Sequence, residues 1–164
     1  MEIFGYAFKD AALLDEALTT DPADPLTLYN AGVLHASGRL SGRSAPEEHT
    51  EAARLLQSFL VSAYARSGAC EDRRADAIRR LGELAARRPP ELQEKIDRLL
   101  MEAARAQSPA FAFDKARRAW DLDRSNSVAL SRMERFARTK GDARLAGQIA
   151  ECGRFLFPGD KRFE

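Results

Sequence analysis

Three evenly spaced arginines are the side chains of this chain best placed to do chemistry. Arg132, Arg135 and Arg138 recur every third residue within a stretch of helical patterning, so they share one helix face. A guanidinium is a planar fork of donors that stays charged and grips a carboxylate through two parallel hydrogen bonds. A row of them in a groove suits an acidic peptide or a C-terminal carboxylate. The competing reading is a solvated face, in a chain where arginine outnumbers lysine 21 to 5. The other constellations are incomplete. Gly38, Gly42, Arg43 and Ser44 superficially match a phosphate-binding loop, but the glycine spacing is one short, Arg43 stands where lysine is needed, and a helix rather than a strand precedes them. They read as a plain loop. His35 and His49 lie 14 residues apart with no ligand motif joining them, which makes His35 a core or boundary histidine. Cys70 and Cys152 fall in different helices without a second cysteine nearby, so both read as reduced, packed thiols. No nucleophile is paired with a base. The chain is therefore expected to be no enzyme and to need no cofactor or metal.

Such residues need rigid elements beneath them, and the chain reads as helix throughout. Ala12, Leu13, Leu14, Ala17 and Leu18 make an apolar stripe over residues 10–19, ended by Asp21 and Pro22. Asp24 is an N-cap, with Pro25 in the first turn of a helix whose inner face is Leu28, Ala31, Gly32 and His35 and whose end is Gly38. Ser44 and Glu47 form a capping box opening a helix from Pro46 to Arg66. Further helices are expected from Glu71 to Arg88, Glu91 to Ala106, Pro109 through Trp120, Ser127 to Thr139 and Ala143 to Phe157. The arginine pairs 73–74, 79–80 and 87–88 fall on the outside. Trp120 is expected in the core. No segment alternates as a half-buried strand does, so no sheet is expected.

A chain of 164 residues is one ordinary domain, and 45% hydrophobic with 31% charged residues is a globular composition. The net charge of +1 does not point to nucleic acid, although residues 1–50 carry −5 and residues 101–164 carry +4. The most apolar run, Leu55 to Ala65, is interrupted by Gln57, Ser58 and Ser62 and is far short of the ~20 residues a bilayer requires. Met1 to Gly5 offer neither the basic start nor the apolar stretch of a secretory signal, so the expected location is cytoplasmic.

Small residues recur at one long interval. Ala112, Ala116 and Ala119 are followed 34 residues later by Ala146, Ala150 and Gly153, and Pro22, Pro90 and Pro158 are 68 apart. Leu28, Ile96 and Leu130 fill one apolar position of that lattice, while the lattice point at Leu56 has no breaker. The pattern resembles the tetratricopeptide repeat family in divergent form. The resemblance implies an all-α fold: stacked antiparallel helix pairs in a right-handed α-solenoid of about eight helices, irregular in the middle, as a single domain over 1–164. It also implies a concave groove lined by the first helix of each repeat. Carried over, the ligand-facing positions include Tyr29, Asn30 and Val33, then Arg98, Met101 and Arg105, then Arg132, Arg135 and Arg138, with Glu134 pointing elsewhere.

A second resemblance is local. Phe4 to Thr19 is similar to the opening helix of ribonuclease III domains, but the following helix, Leu28 to His35, lacks the carboxylates such an enzyme uses for magnesium. The function expected is a protein–protein interaction module or adaptor that binds a peptide or protein segment of acidic character, with no nucleic acid or membrane partner. The alternatives are a fragment or cap of a larger helical-repeat assembly protein and an inactive relative of ribonuclease III. An exposed apolar side on the last helix, made by Leu145, Ile149 and Leu156, would favour the fragment.

Overall fold

A computed structural model of the chain describes residues 13, 16–37, 43–62, 65 and 67–164. Every regular element among them is helical, with no strand. Backbone contacts divide the chain into two compact units, Met1–Arg87 and Arg88–Glu164, each described by itself.

In the first unit, residues 16–20 are helical and precede α1 (Pro25–Ala36), α2 (Ala45–Val61), a 3-10 turn (Gly68–Cys70) and α3 (Glu71–Ala86). The starts follow from local chemistry. Asp24 accepts the Thr27 N–H at 2.8 Å, and Ser44 and Glu47 form the reciprocal capping box, each satisfying donors that the first helical turn leaves open. Leu28, Ala31, Gly32 and His35 are buried, as their spacing requires. Each of the three helices packs on the other two. α1 and α2 approach closely at Gly32, where a Cβ would lie 2.8 Å from the Leu56 side chain.

The helix expected from Pro46 to Arg66 runs unbroken past Leu56 but stops at Val61. Ser62 stops it. Its backbone turns extended at ψ 152°, its hydroxyl donates to the Phe59 carbonyl at 2.6 Å, and the same oxygen accepts the Ala65 N–H at 3.3 Å. A serine inside an apolar run thus offers the backbone an alternative to the next helical hydrogen bond.

The second unit comprises α4 (Pro90–Arg105), α5 (Pro109–Leu122), α6 (Ser127–Thr139), α7 (Ala143–Leu156) and a 3-10 turn (Lys161–Phe163). Ser108 caps α5, Asn126 caps α6 and Asp142 caps α7, each through a side-chain oxygen on early N–H groups. Gly141 and Gly159 carry the two turns that need positive φ, at 88° and 85°. Here each helix packs chiefly on its successor: α4 on α5, α5 on α6, α6 on α7. Ala112, Ala116, Ala119 and Ala146 are fully enclosed, whereas Ala150 is half-buried. Gly153 receives the Phe163 ring, which would lie 2.3 Å from any Cβ placed there. Ile149 and Leu156 on α7 are buried and Leu145 is half-buried.

Trp120 is core, 5% exposed, edge-on to Phe157 at 6.2 Å between ring centroids. One expected outward residue lies inward instead. Arg88 donates through Nε to the fully buried Asp123 carboxylate and through Nη1 to Gln93 at 2.6 Å. Asp123 also accepts the Ser125 N–H at 2.9 Å and its hydroxyl at 2.5 Å. The charge that a bare arginine pattern places in water is drawn in by an acid 35 residues away.

Candidate anion-binding face of α6

The face is set by what α6 buries. Ala129, Leu130, Met133 and Ala137 form its inner side, so the helical period turns Val128, Ser131, Arg132, Arg135 and Arg138 the other way. Those five residues, with Glu134 and Arg162, line a cavity of about 380 Å³. Three of the expected binding residues, Arg132, Arg135 and Arg138, are therefore brought together.

Arg162 reaches the cavity from the 3-10 turn after α7. The turn is held by Phe163 against Gly153, by the Arg154 guanidinium donating to the Phe163 carbonyl at 2.9 Å, and by Asp160 accepting the Arg162 N–H at 3.0 Å. Asp160 also pairs with the Arg162 guanidinium at 2.9 Å. Burial pushes the Asp160 carboxyl up, but the Arg162 N–H, the Ser127 hydroxyl and the Arg162 charge outweigh it and hold its pKa below the usual value. Nothing in the sequence around Phe163 announces that its seat lies on Gly153, so Arg162 escaped the sequence reading.

Glu134 does not point elsewhere. It lines the same cavity and accepts from Arg138 through both Nε, at 2.9 Å, and Nη2. The four-residue spacing of an acid and an arginine on one helix is the signal that identifies the pair. Two of the four guanidiniums are thus occupied internally, Arg138 by Glu134 and Arg162 by Asp160. Arg132 and Arg135 have no ion-pair partner among the described residues.

The remaining expected residues lie elsewhere. On α1, Tyr29 is half-buried, its ring 5.2 Å from that of Phe59 and its hydroxyl donating to Asp76 at 2.6 Å. Burial first, then this hydrogen bond, raises the Tyr29 pKa. Burial works to raise Asp76 as well, but donors from Tyr29, Arg80 and Arg79 pull it down to about 2. Asn30 is exposed and Val33 half-buried. On α4, Arg98 is exposed and loosely paired with Glu94 at 3.4 Å, Met101 is half exposed, and Arg105 is exposed. None of these three lines the α6 cavity.

His35 is the core histidine expected, its Nδ1 2.8 Å from Glu48 Oε2 with both side chains buried. Neither cysteine forms a disulfide. Among the described residues no three of His, Cys, Asp and Glu stand together as a metal-holding group, and no helix is long and apolar enough to cross a membrane. The loop 38–42 and most of the Phe4–Thr19 segment lie outside the described residues.

No protein-family model, curated protein or solved structure matches this chain significantly. The geometry of the α6 face must carry the functional reading on its own.

Proposed function

We propose that the chain is a non-enzymatic interaction module, a tetratricopeptide-like stack of helix pairs whose α6 face receives an acidic segment of a protein partner in the cytoplasm. The observation that carries this reading is the cavity lined by Arg132, Arg135, Arg138 and Arg162 with a single carboxylate, Glu134. The repeat character is supported by the 34-residue recurrence of small residues, most of them enclosed, and by the packing of each helix of the second unit on its successor. An extended acidic segment would be held by charge-assisted hydrogen bonds from guanidinium forks, with Val128 supplying apolar contact.

The test is direct binding. A degenerate peptide pool rich in Asp and Glu, immobilised and probed with the purified chain, should retain it, and retention should weaken with salt because a Debye length of about 8 Å screens such exposed charges at physiological ionic strength. Arg135→Glu should abolish retention while the helical circular dichroism spectrum is unchanged. Equal retention of wild type and R135E, or no retention of wild type at low salt, would sink the proposal.

A further inference from the structure

We infer that the group the α6 cavity selects is a phosphoryl group carried on a peptide side chain, in preference to a carboxylate. The inference rests on the acidic-segment reading and deepens it. A cavity built to match one carboxylate needs one guanidinium fork. This one is lined by four arginines and a single acid, and Arg132 and Arg135 are left over after the internal pairs form. Arg132 and Arg135 are three residues apart, a rise of about 4.5 Å along the helix. Two neighbouring, uncompensated forks at that spacing fit one compact group with three acceptor oxygens and a charge of about −1.5 to −2 better than a monoanion with two.

The donors in the cavity are guanidiniums. The Ser131 hydroxyl spends its proton on the Val128 carbonyl at 2.9 Å, so it adds no donor to the site. Glu134 sits among the arginines, where it opposes any continuous polyanion. No aromatic side chain lines the cavity to stack a base. These two features separate a single phosphoryl group on a peptide from the backbone of a nucleic acid. Arg138 and Arg162 are each paired with a carboxylate, Glu134 and Asp160, which offsets part of the charge they offer a ligand. Glu134 is thus an internal competitor for the ligand's place.

The experiment uses the full chain and fluorescein-labelled degenerate peptides of otherwise identical acidic composition, whose fixed central residue is phosphoserine, glutamate or serine. Fluorescence anisotropy should show the phosphoserine pool binding about tenfold or more tighter than the glutamate pool. Arg132→Ala with Arg135→Ala should erase that difference, and Glu134→Gln should tighten phosphoserine binding severalfold by releasing Arg138. Equal affinity for the phosphoserine and glutamate pools overturns the inference and leaves the acidic-segment proposal standing. Binding of neither pool overturns both. Inorganic phosphate binding as tightly as the phosphoserine pool, or single-stranded RNA displacing that pool at lower concentration, also overturns it, because the ligand would then be free phosphate or nucleic acid.

Discussion

The two units differ in how their helices pack, and in both some polar side chains cross between helices. In Met1–Arg87 ion pairs along one helix, such as Glu51–Arg54 and Asp76–Arg80, stand beside polar contacts that reach between helices: Tyr29 of α1 to Asp76 of α3, His35 of α1 to Glu48 of α2, and Arg87 after α3 to the Ala36 carbonyl at the end of α1, at 2.7 Å. In Arg88–Glu164 ion pairs again run along one helix, as in Glu94–Arg98, Asp114–Arg117, Asp114–Arg118 and Glu134–Arg138, while Lys115 of α5 reaches Glu102 of α4 at 2.7 Å. Three helices that all touch one another bury a few polar groups, and His35 and Glu48 pair across such an interface. Helices packed in chain order leave whole faces outside, where charges pair with near neighbours or remain unpaired. Under the proposed function the arginines of α6 can meet a ligand because they lie off the face that α6 packs on α5 and α7.

Four variants test that contrast, beginning with the largest effect. Trp120→Ala should remove about 3 to 5 kcal/mol of stability, since it empties the aromatic centre of the second unit. Urea denaturation measures it, and a loss below about 1 kcal/mol would show that the stacked helices do not depend on this core. Arg88→Met should cost about 3 kcal/mol by leaving the fully buried Asp123 charge without its guanidinium. Arg88–Asp123 joins residues 35 positions apart, and a neutral result would mean that this buried pair does not hold the second unit together. Ala116→Phe should cost about 1 to 3 kcal/mol by overpacking an enclosed site. Ala150→Phe should cost less, because Ala150 is half open to solvent, and equal costs would weaken the repeat comparison.

The smallest effect is the acid response of the first unit. The Asp76 carboxyl titrates near 2 when folded and from an ordinary value of 3.8 when unfolded, so its contribution is complete above about pH 4 and disappears as pH falls through 2. Allowing for its partial exposure, that is about 1 kcal/mol. Tyr29→Phe removes one of the donors that depress the pKa and should flatten the stability profile over this window. An unchanged profile would mean that the Tyr29–Asp76 bridge between helices is not stabilising.

Features whose cause lies within a few residues were legible in the sequence. Asp24 and Ser44 each announce a helix start because their oxygens reach N–H groups three positions on. The common face of Arg132, Arg135 and Arg138 follows from helical period alone. The end of α2 at Val61 was hidden because a serine in an apolar run is compatible with either helix or cap, and only the Ala65 N–H decides it. Arg88 with Asp123 and Phe163 with Gly153 were hidden for a different reason: each joins residues that no local pattern relates. Arg162 enters the cavity through the second of these, so part of the site depends on a contact that periodicity cannot supply.

The position of Trp120 has a spectroscopic consequence. It is the chain's one tryptophan, and it lies in α5, boxed by Phe157 and by the Arg124 guanidinium 5.5 Å from its ring centre. Its emission therefore reports on the second unit, in which it lies, whereas far-ultraviolet ellipticity averages every helix in the chain. Followed together through one melt, the two signals act as separate thermometers, one for half of the molecule and one for all of it.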